Sequence, residues 1–267
     1  MVLIVMGGLG WRVTSDLASQ GVRRGRRRLS LHTRLVLRTT LLLVVFGTLG
    51  LALTEWLNRG EVFIGMAWRE RWMTALFESV TARTAGFTTV PFSLENITDS
   101  GTLLLMALMF IGASPGGTGG GIKTTTVAAL MAATRSTMRG RDAVVIRNRE
   151  IPDKVVLRAL GITVASLLFV LAMALLLSIA SNLNGAEPFT FLEMLFTCIS
   201  AFATVGLDLG VTEQLGRFGQ AVLMLGMFVG RLGILLLLSA IWEVMTREQI
   251  HIYRQNRIGY PREDLYV

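Results

Sequence analysis

Charge is scarce in this 267-residue sequence: 16% of its residues are Asp, Glu, Lys or Arg, against 52% hydrophobic. With a mean hydropathy of +0.57, that balance excludes an ordinary soluble globular domain and makes the lipid bilayer the expected solvent. Cysteine is nearly missing. The single Cys198 permits no intramolecular disulfide and no cysteine-rich metal site. The two histidines, His32 and His251, fall in separate basic segments and form no metal-ligand set. A nucleotide-binding Walker loop is also lacking. Glycines precede Lys123 and Thr124, but Ile122 stands where the motif needs glycine before lysine, and an apolar helix occupies the place of the required strand. The sequence does not read as an enzyme, and no resident cofactor is expected in this chain.

What is present is a set of long apolar runs, at residues 35–57, 102–112, 155–180 and 221–244. Three of them approach or exceed the roughly 20 residues that cross a hydrocarbon core. The run at 102–112 is too short to span alone and continues into a glycine-rich stretch. The formal charge of +8 sits in blocks between the apolar runs. Arg23, Arg24, Arg26, Arg27 and Arg28 come first, then Arg135, Arg139, Arg141, Arg147 and Arg149, then Arg247, Arg254 and Arg257. By the positive-inside rule these blocks are expected on the cytoplasmic side of a multi-pass plasma-membrane protein, C-terminus included. Basic residues distributed in this way set topology and give no nucleic-acid face. Residues 1–13 are apolar but lack the basic start and cleavage pattern of a signal peptide, and read as the end of a preceding membrane helix.

Two segments share one order of features. Each has a long apolar helix, a short stretch of about 11 to 14 residues, too short to span, then a Thr-x-Gly-apolar turn and another apolar helix. The turns are Thr84-Ala85-Gly86-Phe87 and Thr204-Val205-Gly206-Leu207. Non-helical backbone at membrane depth is tolerated only where it is buried in protein or lines water. The expectation is therefore an all-α membrane protein with two helix, pore helix, helix repeats and re-entrant filter turns. Its organisation is residues 1–32 (helix end and basic loop), 33–153 (first repeat, second helix broken), 154–246 (second repeat) and 247–267 (cytoplasmic tail).

A bare alkali cation needs a cage of oxygens in place of its hydration shell, and backbone carbonyls supply one without a trapping charge. Gly86 and Gly206 open conformations that aim consecutive carbonyls toward one axis. Thr84, Ala85, Thr204 and Val205 complete the candidate ion-binding turns, with Phe87 and Leu207 as wedges against neighbouring helices. Asp208 after the second turn reads either as a cation-concentrating charge at the outer mouth or as a solvated loop residue. Glu78 and Glu193, on the short helices, read either as capping or locally paired, for example with Arg83, or as solvated.

Ser79-Val80-Thr81-Ala82-Arg83-Thr84-Ala85-Gly86-Phe87, the run from Gly112 to Thr124, and Ser200-Ala201-Phe202-Ala203-Thr204-Val205-Gly206-Leu207 together resemble the membrane subunits of the Trk, Ktr and HKT potassium uptake systems, most closely the Ktr branch. That family has four repeats around one pore, so the resemblance implies the C-terminal half, repeats three and four. The remaining repeats would come from a missing N-terminal part or a second membrane subunit. It further implies transported K+, with a sodium-permeable transporter or a non-conducting membrane fragment as alternatives, and a cytosolic nucleotide-binding regulatory subunit as partner.

Pro115 removes a backbone donor, and Gly112, Gly116, Gly117, Gly119, Gly120 and Gly121 disfavour helix, so the second helix of the first repeat should break near Gly112 and resume near Thr124. By resemblance this segment is the intramembrane gate beneath the filter. Arg231 interrupts an apolar helix, where a lone charge costs about 2.5 to 3.5 kcal/mol. The expectation is that it donates to carbonyls freed in the loop and holds the gate shut, with Lys123 at the cytoplasmic mouth.

Overall fold

The computed structural model describes residues 1–22, 29–57, 63, 65–90, 97–141, 143–146, 149–184 and 189–233. The first basic block, the tail at 247–267 and the end of the last apolar run lie outside the described residues, as does His251. Ten helices are described: α1 (Val2–Leu9), α2 (Trp11–Val22), α3 (Leu31–Leu57), α4 (Trp68–Thr81), α5 (Asp99–Phe110), α6 (Thr124–Thr137), α7 (Asp153–Asn184), α8 (Phe191–Ala203), α9 (Val211–Gln214) and α10 (Arg217–Leu232). Among the described residues, β pairing accompanies the helices at two places, one of them an isolated parallel bridge between Ile111 and Ile122. Two-residue strands β1 (Val145–Ile146) and β2 (Arg149–Glu150) pair antiparallel in the link before α7.

The long helices α3 and α7 are apolar over lengths sufficient to cross a membrane. At 1.5 Å per residue, the 27 residues of α3 extend about 40 Å. Both present large side chains outward, among them Leu41, Leu42, Phe46, Leu49, Leu168 and Leu175. The shorter helices start at polar caps. Thr98 Oγ1 accepts from Gly101 N (3.1 Å) at the head of α5. At α8, Thr190 and Glu193 cap each other, Thr190 N donating to Glu193 Oε2 at 2.7 Å, which satisfies amide donors that have no partner inside the helix. Helix α4 begins at Trp68, where the Glu70 carboxylate reaches back to Ala67 N at 2.9 Å and supports the first turn.

Two apolar cores fix the short helices among the long ones. Leu51, Ala75, Leu105, Met109 and Phe196 join α3, α4, α5 and α8. Val170, Leu177, Phe202, Val222 and Val229 join α7, α8 and α10. Phe202 touches both sides, its ring 6.2 Å from Phe110 and 5.9 Å from Phe169. At the N-terminal end, Asp16 of α2 accepts from Ser30 N (3.1 Å) and Thr33 Oγ1 (2.6 Å), tying α2 to the start of α3. The Thr33 hydroxyl and the Ser30 donors hold the Asp16 carboxyl below its usual range.

Helix α10 packs closely on the end of α8. A Cβ at Gly230 would overlap the Phe202 carbonyl group, which is backbone and does not yield. Gly161 on α7 faces open space. Gly230→Ala should therefore lower the melting temperature in detergent by several degrees, corresponding to at least about 2 kcal/mol of overpacking. Gly161→Ala should leave it unchanged or raise it by up to about 1 kcal/mol equivalent. Equal melting temperatures for the two variants would contradict this packing.

Candidate functional site

Helix α4 ends at Thr81 and α8 at Ala203, and each runs straight into a Thr-x-Gly turn. Both turns carry the same backbone irregularity. Among the described residues, the non-glycine positions with positive φ are Thr84 (71°) and Thr204 (55°), and two residues on stand Gly86 (74°) and Gly206 (96°). Left-handed backbone costs a side-chain-bearing residue about 1 to 2 kcal/mol, and a β-branched threonine is among the least suited to it. Strain of this kind persists only where the surroundings over-determine it, and it clusters at functional sites. Ala85 and Val205 between the strained positions keep negative φ.

The two turns face one another. A Cβ on Gly86 would collide with the Val205 carbonyl oxygen and close on the Gly206 α-carbon, and one on Gly206 would find the Gly86 α-carbon at 3.9 Å. Thr84, Ala85 and Gly86 are thus brought together with Thr204, Val205 and Gly206. Each turn is braced from behind. Thr81 Oγ1 donates to Phe87 O at 2.6 Å, and Ser79 Oγ to Val44 O at 2.9 Å. In the second copy, Ser200 Oγ accepts from Gly206 N at 3.2 Å. Leu207 is 2% exposed and wedges its turn, whereas Phe87 is 66% exposed, so the expected wedge exists in one copy.

A cross-turn clamp, unforeseen from the sequence, closes each loop with its chemistry exchanged between copies. In the first, Glu78 on α4 accepts from Thr89 N (3.1 Å) and Thr89 Oγ1 (3.0 Å) beyond the turn. In the second, Thr197 on α8 lies 3.0 Å from Asp208 Oδ1 beyond the turn, and Asp208 Oδ2 accepts from Thr212 N at 3.2 Å. Asp208 is therefore engaged by its own loop. Glu78 and Arg83 do not pair. Arg83, buried beside the first turn, donates instead to Thr40 O on α3 (3.3 Å) and to Gly112 O just past the end of α5 (3.4 Å). A second acid, Glu55 at the end of α3, holds Thr98 Oγ1 at 2.8 Å. An acid closing a long apolar run was the available signal for it.

Between Phe110 and Thr124 the chain leaves the helix and passes under both turns. Gly119 lies against Thr84, and Gly120 N donates to Thr204 Oγ1 at 3.0 Å. Gly112 lies against the Gly120 carbonyl, while Ile122 N donates to Phe110 O (3.1 Å) and Thr124 N to Ala113 O (3.3 Å). The N-terminal helices hold the far side, through Ser114 N to Gly8 O (3.0 Å), Thr118 N to Gly7 O (3.2 Å) and Trp11 N to Gly116 O (3.3 Å). Pro115, Gly116 and Gly117 form the bend there, with Gly117 N on Ser114 O at 3.0 Å and Gly121 in left-handed backbone at 68°. Arg231 Nη1 donates to Thr118 O, and Lys123 Nζ to Gly119 O at 2.7 Å. No cluster of three or more His, Cys, Asp or Glu suited to a metal occurs among the described residues.

A family profile described as TrkH, cation transport protein, matches residues 1–248. The chain is 34% identical over 268 residues to Ktr system potassium uptake protein D of Bacillus subtilis, covering 100% of this chain and 56% of that protein. It is 36% identical over 234 residues to Ktr system potassium uptake protein B of Vibrio alginolyticus (86% and 49%). It is 30% identical over 265 residues to the potassium/sodium uptake protein NtpJ of Enterococcus hirae (99% and 55%). The crystal structure of the potassium transporter TrkH from Vibrio parahaemolyticus superposes with a TM-score of 0.68 at 21% identity, over 90% of this chain and 50% of that one, a likeness of fold. The chain spans about half the length of the curated relatives it matches. It belongs to the TrkH family of cation transport proteins, a family of transporters and not of enzymes.

Proposed function

We propose that this chain supplies two quadrants of a potassium-conducting pore in the plasma membrane, the rest coming from further repeats or a second membrane subunit. Thr84, Ala85, Gly86, Thr204, Val205 and Gly206 present oxygens to a dehydrated cation, and the segment from Gly112 to Gly121, with Lys123 and Arg231, gates the passage beneath. The observation that carries this reading is the matched strain: a left-handed threonine followed by a left-handed glycine, in two copies that touch. Strain repeated at equivalent positions is hard to attribute to packing alone, and oxygens converging on an axis give it a use. The basic segments face the cytoplasm, and an inward-negative potential contributes about 2.3 kcal/mol per cation for each 100 mV. A cytosolic nucleotide-binding subunit regulates the gate, in keeping with relatives named as components of Ktr systems.

A sodium-permeable transporter is the second reading, supported by the potassium/sodium relative and by the single glycine in each turn. Rubidium and sodium uptake by the complete transporter in cells deficient in potassium uptake separates the two. A chain that carries neither ion when its remaining repeats are supplied is a non-conducting fragment.

Gly86→Ala should abolish rubidium uptake at normal surface expression, since its methyl group meets the Val205 carbonyl. Gly206→Ala, with room but an unsuitable φ, should retain partial uptake at a cost of about 1 to 2 kcal/mol. Equal uptake by both variants and the unmodified transporter would remove the turns from the pathway. Arg231→Gln loses a charge-assisted bond to Thr118 O, and flux should rise about tenfold, the factor given by about 1.4 kcal/mol of lost closed-state stabilisation. Unchanged or lower flux at normal expression counts against the latch. Thr197→Val removes the hydroxyl facing Asp208, and the rubidium to sodium uptake ratio should fall about fivefold for about 1 kcal/mol of lost hydrogen bonding. An unaltered ratio would reduce the clamp to loop packing.

A further inference from the structure

Helix α6 leads away from the loop beneath the turns, and with the first half of α3 it encloses a cleft of about 480 Å3. The walls of this cleft change character along their length. Toward the turns they are apolar, with Leu41, Leu42 and Met131 left 64%, 65% and 54% exposed. Toward the far end Arg38 of α3 meets Arg135, Arg139 and Arg141 from α6 and the turn after it. All four arginines are exposed, and no described carboxylate pairs with any of them.

The cationic end is a built feature. Ser136 is buried and donates to Ala143 O at 2.6 Å, while Arg139 N (3.0 Å) and Arg141 N (3.1 Å) donate to Ser136 O. These bonds fold the turn back on α6, bring Arg139 and Arg141 to the cleft, and occupy a carbonyl at the helix end that would otherwise repel an anion. Four guanidinium groups lining one cleft favour an anion, for which their planar donors suit phosphate oxygens. The uncovered leucines and methionine require hydrocarbon. A soluble anion answers the first need and leaves the second wet, whereas a phospholipid carries a phosphate and a hydrocarbon chain in one molecule.

We propose that the cleft binds one anionic phospholipid of the cytoplasmic leaflet, its phosphate among Arg38, Arg135, Arg139 and Arg141 and an acyl chain along Leu41, Leu42 and Met131. The lipid holds α6, the helix that emerges from the gate loop, at a set distance from α3. This assignment concerns a surface outside the ion path and stands whether the pore selects potassium or sodium.

The test is lipid binding by the complete, delipidated transporter in detergent, read by native mass spectrometry with phosphatidylglycerol, phosphatidylcholine and glycerol 3-phosphate. Phosphatidylglycerol should bind at least about tenfold more tightly than phosphatidylcholine, since each basic residue at a membrane surface contributes about fivefold. Arg135→Gln with Arg139→Gln should bring the two lipids close to parity, and the matching lysine pair should keep most of the preference. If the glutamine pair does not fold, Arg38→Gln alone is measured, with a loss of about fivefold expected. Equal binding of the two lipids to the unmodified transporter overturns the proposal, as does an undiminished preference in the glutamine variants. So does displacement of phosphatidylglycerol by glycerol 3-phosphate or polyglutamate at matched concentration, which would mark a general anion or acidic-protein site.

Discussion

A peptide group that leaves the helix inside a hydrocarbon layer must find its hydrogen-bond partners within the protein. Much of what distinguishes this chain answers that requirement. Two short helices end in irregular turns, and a third irregular segment passes beneath both, so the exposed amides and carbonyls of one are met by another. Gly120 N is taken up by the Thr204 hydroxyl, Gly119 O by Lys123, Gly112 O by Arg83 and Thr118 O by Arg231. Side chains carrying positive charge do much of this work, and an apolar protein retains them because freed carbonyls give each a partner.

The same bonds couple regions that are distant in sequence. Arg83 stands next to the strained Thr84 and reaches both Thr40 on α3 and Gly112 where α5 ends. A displacement of the loop is therefore felt at the first turn through one guanidinium and at the second through the Thr204 hydroxyl. The loop is also bonded to the glycines of α1 on its other side, at Gly7 and Gly8. In the proposed pore this makes filter and gate parts of one bonded unit, so that movement of the loop alters the support of the turns as well as the width of the path.

The sequence made the helices and their interruptions legible because those depend on local chemistry. Apolar length announced α3 and α7. Pro115 and the glycines around it wrote the break between Phe110 and Thr124 into the chain, since a missing donor and a high backbone entropy act wherever they occur. Arg231, alone in an apolar run, pointed to a freed carbonyl, and it meets Thr118 O. Pairing between side chains was less legible because it depends on how the turn folds back. Glu78 and Arg83 lie close in sequence and suggested a pair, yet the turn carries Thr89 to Glu78 and leaves Arg83 to backbone. The exchange of acid and threonine between the two copies hid their common clamp, because neither residue type recurs at its own position. Phe87 looked like Leu207 in pattern, but a wedge needs a wall, and of the two only Leu207 is buried.

The central claim is that the oxygens of the two Thr-x-Gly turns line one ion path. Anomalous diffraction from crystals of the complete transporter grown with thallium, a potassium mimic, tests it directly. The account predicts thallium peaks on the axis between the Gly86 and Gly206 turns, in coordinating contact with their carbonyl and threonine oxygens. Ordered thallium elsewhere in the protein, with none between those turns, would contradict it.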